Sequence, residues 1–177
     1  MNRTNNRIIL LFTLFIVSFF PTASSQTPAI ENLEKELAAH NRIDTTRVNL
    51  LNKLGYELYA IDSGKAGEYA QEAQKISTRL NYPAGEAASL WVTGLIIRNT
   101  PKKALEHFER ALSIAERIKD PTSICNYLLA ISSIQKAMGN IKASDEAIEK
   151  GLQASTVLKD PDIRIKLLYN SATNLTS

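Results

Sequence analysis

The sequence predicts an all-α solenoid of stacked helix pairs, and three observations predict it. The stretches Lys65-Ala66…Ala70…Ala73, Lys103-Ala104…Phe108…Ala111 and Ala143-Ser144…Ile148…Gly151 share one small-xxx-larger-xx-small pattern. Their last members, Ala73, Ala111 and Gly151, lie 38 and 40 residues apart. Pro83, Pro121 and Pro161 repeat the same two intervals, and no strand pattern follows Pro28. A period of this length marks units that cannot bury their apolar faces alone and therefore stack. The usual product of such stacking is a binding surface.

The N-terminus carries a different signal. Arg3 and Arg7 precede a 13-residue apolar run over 8–20, and Ala23 and Ser25 stand at the −3 and −1 positions before Gln26. This is the form of a secretory signal peptide over 1–25, cleaved after Ser25, and it implies a periplasmic or secreted protein. A spanning helix needs ~20 apolar residues, so a retained anchor is the lesser alternative and no stable membrane anchor is expected. No cysteine lies near the cleavage point to accept a lipid.

The whole chain has 21 basic and 18 acidic residues, and loss of Arg3 and Arg7 leaves the two signs nearly balanced. No basic stripe points to nucleic acid. Cys125 is the one cysteine, so no internal disulfide forms, and the helical period around it makes it a small core residue.

The elements follow in order. A short polar linker leads to a helix whose Ile30, Leu33, Leu37 and Ala38 recur on one face. Asp44-Thr45-Thr46 supplies cap oxygens for the next, which carries Val48, Leu51, Leu54, Gly55 and Leu58. Asp62-Ser63-Gly64 reads as a turn with Gly64 at positive φ, before a helix over 65–80. Asn81-Tyr82-Pro83, Asp120-Pro121 and Asp160-Pro161 each offer a cap followed by a proline that costs no hydrogen bond in a first helical turn. Gly139-Asn140 is the turn inside the third unit.

These residues resemble tetratricopeptide (TPR) repeats, in which a first helix carries a large and a small residue four apart and a second carries a small/aromatic/small set. Leu51/Gly55/Leu58, Leu90/Gly94/Ile97, Leu128/Ser132/Gln135 and Leu168/Ala172/Leu175 fit the first helix. Phe108 alone supplies the aromatic of the second helix, where Ala70 and Ile148 stand elsewhere, and Gln135 replaces an apolar residue. The resemblance implies a right-handed α-α superhelix of about three and a half helix-turn-helix repeats. Their bounds would be a linker and N-terminal helix over 26–44, repeats over 45–82, 83–120 and 121–160, and the first helix of an incomplete fourth over 161–177. The run over 41–54 is also similar to the beginning of bacterial exported TPR arrays that precede a transmembrane segment and a signalling output such as a histidine kinase. The last helix is expected to act as a cap, to belong to something longer, or to be covered by a partner.

Little in the sequence points to catalysis. His40 and His107 lack second ligands at metal spacing; His40 reads as a helix-end residue and His107 as part of an exposed face. Glu146/Lys150 is an ordinary i,i+4 surface pair. Asn174-Leu175-Thr176 matches a glycosylation sequon without a context that gives it meaning. No enzyme activity, cofactor or metal is expected. The TPR resemblance places a concave groove on the first helices, implying Asn49, Asn52, Tyr56 and Tyr59 from the first unit and Trp91, Leu95 and Arg98 from the second. Asn126, Leu129, Ser133 and Lys136 follow from the third, and Lys166, Tyr169 and Thr173 extend the row. Amides suit a peptide backbone, Tyr and Trp give contact area, and Arg98 and Lys136 suit a carboxylate. Trp91 has a competing role as filler between units. The expected function is a non-catalytic exported scaffold that binds a peptide or protein. The alternative is a sensory input module of a signalling receptor without its membrane and output parts. Either a monomer of modest stability or a homodimer through the last helix is expected.

Overall fold

The computed structural model describes residues 27–159 and 161–175; the signal peptide over 1–25 and the cap assigned to Asp160 lie outside them. Among the described residues there are eight α-helices and no strand. They are α1 (Pro28–Ala39), α2 (Thr45–Leu58), α3 (Ser63–Arg79), α4 (Pro83–Ile96), α5 (Pro101–Ile118), α6 (Pro121–Ala137), α7 (Ile141–Ala154) and α8 (Asp162–Asn174), with a 3-10 turn at Ser155–Val157.

Local chemistry sets the boundaries. Asp44 Oδ1 accepts from the amides of Thr46 and Arg47 at 3.1 and 3.2 Å, and Asp120 Oδ1 from those of Thr122 and Ser123 at 3.1 and 3.2 Å. These bonds satisfy amides that a helix start otherwise leaves open. Pro83, Pro101 and Pro121 occupy first turns. Helix ends repeat one device: Asn81, Lys119 and Gly139 take φ of 50°, 56° and 79°. The next amide in each case reaches back to a carbonyl five residues earlier, as Tyr82 does to Ser77 at 2.8 Å. Two expectations are corrected here. Gly64 lies inside the first turn of α3, where Asp62 caps the Lys65 amide at 3.0 Å, so no positive φ is used. Asn81 ends α3 and does not cap α4, whose N-cap Tyr82 makes no side-chain capping bond to the helix.

His40 Nε2 lies 2.8 Å from Asp44 Oδ1, and this hydrogen bond, opposed by partial burial and aided by the Arg47 amide, holds the Asp44 carboxyl below the usual carboxylate range. A depressed carboxyl stabilises the fold above its unfolded value of about 3.9 and ceases to as pH falls through its lower folded value. Asp44→Asn keeps a capping oxygen and removes the charge. Thermal midpoints followed from pH 6 down to pH 2 are therefore expected to fall less steeply in this variant, and identical slopes would contradict the linkage.

The helices pack in series, each against the next. The even-numbered ones also meet each other, α2 with α4, α4 with α6 and α6 with α8, whereas no comparable contact joins α3 to α5 or α5 to α7. All nine residues of the small/larger/small columns are buried, from Ala66 through Gly151. The reason for small residues is visible at Gly94, where a Cβ would sit 2.5 Å from the Phe108 ring, and at Gly55, where it would meet Val92 at 2.9 Å. Cys125 is fully buried, its thiol donating to the Gly151 carbonyl at 3.4 Å, and burial raises its pKa.

The last helix departs from the expected register. Ile163, Leu167 and Asn174 are the buried residues of α8, while Leu168, Ala172 and Leu175 are exposed. α7 spans 14 residues where α3 and α5 span 17 and 18, and it unwinds through the 3-10 turn into extended Leu158. Leu167 nevertheless continues the spacing of the earlier first helices, 39, 38 and 39 residues from Leu51 through Leu90 and Leu128, so the in-phase set is Leu167/Ser171/Asn174 and the expected Leu168/Ala172/Leu175 stands one residue late. Asn174 of the sequon donates to Ser144 Oγ at 2.9 Å and Asp145 Oδ1 at 2.7 Å from a buried position, which closes it to modification in this fold.

Candidate functional site

The even-numbered helices bring together a line of rings that the sequence scatters over 71 residues. Tyr56 on α2 stacks on Trp91 of α4, with centroids 4.9 Å apart and planes inclined by 17°. Tyr59, one turn further on, meets Tyr56 at 5.7 Å, and Tyr127 of α6 meets Trp91 at 5.7 Å with the rings tilted by 43°. Arg98 closes the row with its guanidinium carbon 5.8 Å from the Tyr59 ring centroid. Rings at such separations attract beyond their area burial. Tyr56 remains 41% exposed, so the stack is a surface as well as a filler.

Two adjoining hollows flank the stack. One, of about 370 Å³, lies beyond Trp91 toward α6 and α8, with Leu95, Leu129 and Phe108 among its apolar walls and Arg98, Asn126, Ser133 and Lys166 as polar groups. The other, of about 500 Å³, lies between α2 and α4 and includes Leu33, Asn49, Asn52, Lys53 and Glu57. Burial raises the pKa of Tyr56 and pushes that of Tyr127 to about 12, so both are neutral phenols at ordinary pH.

Most of the expected groove residues meet here, with differences in role. Tyr56, Tyr59, Trp91, Leu95, Arg98, Asn126 and Ser133 line one hollow, and Asn49 and Asn52 line the other. Asn52 is buried and ties α2 to α4, its Nδ2 donating to the Gly85 carbonyl at 3.0 Å while its Oδ1 finds no partner. Asn49 accepts from the Tyr82 hydroxyl at 3.0 Å. Lys136 is the clearest correction. Its ammonium donates to the Thr173 carbonyl at 2.7 Å, where a cation complements the C-terminal end of α8, and Lys166 takes its place in the hollow. Trp91 is both filler and surface: it packs against two core clusters, and its Nε1 is buried without a partner.

Sequence reasoning passed over Tyr127, whose neighbour Asn126 was the residue assigned to the groove. The signal was available in the aromatic near the middle of the third first-helix. His107, expected on an exposed face, is half-buried with Nδ1 unpartnered, and burial, with the nearby Arg110 charge, lowers its pKa. It lies on α5, outside both hollows.

Among the described residues no group of His, Cys, Asp or Glu side chains has the arrangement of a metal site, and no helix is long and apolar enough to cross a membrane. The described residues define an all-helical protein with repeat-like packing of helix pairs and an aromatic hollow along its first helices. No protein-family model matches the chain, and no curated protein matches it.

Proposed function

We propose that this chain is an exported, non-catalytic TPR-type scaffold, a right-handed α-α superhelix that binds an extended peptide or protein segment along its concave face. The single observation that carries the reading is the ring row from Tyr59 to Tyr127, which crosses three successive first helices and leaves Tyr56 open to solvent. Among the described residues, successive first helices pack on each other more than successive second helices do, which also favours a stack curved with the first helices inside. The side-chain amide of Asn126, which lines the hollow and has no hydrogen-bond partner among the described residues, adds a group able to bond a peptide backbone.

Selection from a random peptide display library on the full chain tests this. Tyr56→Ala with Trp91→Leu keeps apolar bulk at the core contact and removes the stack. Peptides enriched by the parent are expected to lose affinity by roughly tenfold or more on the double variant, as for the loss of aromatic anchors, with helical circular dichroism unchanged. Equal enrichment by a folded double variant contradicts the groove.

The same reading gives α8 a role in self-association. Ile165, Leu168, Ala172 and Leu175 are exposed at spacings of three, four and three, the pattern of a helix–helix seam. Ile165→Glu with Leu168→Glu is expected to convert a dimer into a monomer in light scattering, and a parent that is already monomeric contradicts the dimer.

A further inference from the structure

The hollow beyond Trp91 carries charge of one sign. Arg98 and Lys166 line it and no acidic residue does. Neither cation is engaged by an acidic side chain among the described residues. The acidic residue nearest Lys166 along α8, Asp162, lies one turn away and outside the lining. The neighbouring hollow is different, since Lys53 and Glu57 balance there.

An aromatic wall of two tyrosines and a tryptophan would by itself suit a cation. Here the Tyr59 face already carries the Arg98 guanidinium, and a second cation would enter beside Lys166 with no carboxylate to offset the repulsion. The electrostatics therefore reject what the rings alone would accept. The volume of about 370 Å³ stands at the small end for ligand pockets, suited to a side chain and its backbone. Its apolar walls take a large carbon surface, and the Asn126 amide that lines it offers both a donor and an acceptor to an extended main chain.

We infer that this hollow takes one aromatic or large aliphatic side chain of an extended peptide whose flanking residues are acidic. The anchor seats against Trp91 and Leu129, and the flanking carboxylates reach Arg98 and Lys166. The inference rests on the groove reading and narrows it to one ligand chemistry.

The test uses three end-blocked hexapeptides with a central phenylalanine, flanked by glutamate, by glutamine or by lysine. Trp91 is the only tryptophan of the chain, so its emission reports the hollow directly. The glutamate peptide is expected to bind the full chain about tenfold or more tighter than the lysine peptide. That advantage is expected to shrink several-fold as salt rises from about 50 to about 500 mM. Both cations are exposed, so Arg98→Glu with Lys166→Glu leaves the core intact and is expected to reverse the order. Binding of all three peptides with equal affinity, or an order unchanged by the reversal, overturns the charge selection and leaves the groove standing. Failure of all three to bind, by emission and by calorimetry, overturns the groove reading with it.

Discussion

Phe108→Ala is expected to cost about 3–5 kcal/mol of unfolding free energy, the range for truncating a buried aromatic. Phe108 is 1% exposed and joins two helix pairs, α4 with α5 and α6 with α7, at one point. Its ring lies against Gly94 of α4, and its cluster includes Leu128, Ile131 and Ile134 of α6 and Ala147 of α7. Truncation therefore opens a cavity at the seam between the second and third units, where neighbouring backbones cannot collapse without breaking the helix spacing. Domains of this size hold about 5–15 kcal/mol in total, so the loss takes a large share of the fold's stability. Chemical denaturation followed by circular dichroism measures it. A cost below about 1 kcal/mol would mean that the seam relaxes freely and that Phe108 does not link the units.

Gly94→Val tests the same contact from the other side. Valine at this position brings Cβ to 2.5 Å from Phe108 Cε1 and 2.7 Å from Cδ1, closer than carbon atoms approach. Overpacking of this kind costs about 1–3 kcal/mol. The opposing gain in helix propensity on replacing glycine is smaller, at most about 1 kcal/mol. Phe108→Leu, which withdraws the ring, is expected to recover part of the loss, so the double variant is more stable than the sum of the single effects. Strict additivity, or stabilisation by valine alone, would show that the two helices do not need a small residue at their crossing.

What was legible in the sequence is what depends on near neighbours. Ala66, Ala70 and Ala73 announce a close helix crossing because only small side chains permit one, and Asp44 and Asp120 announce helix starts because their oxygens reach amides two and three residues ahead. The groove row was legible in outline, since helical spacing puts Asn52, Tyr56 and Tyr59 along one side of α2. What escaped depends on distant geometry. The register of α8 is the exception: Leu167 continues the spacing of 39, 38 and 39 residues from Leu51 through Leu90 and Leu128, and the adjacent Leu168 was the wrong choice of two leucines. The partner of Lys136 is a carbonyl 37 residues away, fixed by where α8 ends. Tyr127 joins the stack because α6 crosses close enough to α4 for its ring to reach Trp91, a distance set by the packing of both helices on α5. Gly64 was misread for a local reason: Asp-Ser-Gly serves equally as a turn and as a capped first helical turn, and only Asp62 bonding to the Lys65 amide distinguishes them.

The polar side chains of the groove divide along the same line. Asn52 is spent on the Gly85 carbonyl and Asn49 on the Tyr82 hydroxyl, so the contacts that hold the first and second units together occupy amides that the sequence leaves free. The exposed ring of Tyr56, the Asn126 amide and the two cations beyond Trp91 remain for a partner.

The central claim is that a partner lies along the first helices. Backbone amide shifts of the isotope-labelled chain, recorded with a bound peptide from the display selection, test it most directly. The largest changes are expected at Tyr56, Trp91, Arg98 and Asn126, with α3 and α5 little affected on their outer faces. Changes concentrated instead at Glu68, Glu72 and Lys75, which flank the open hollow on α3, would contradict it.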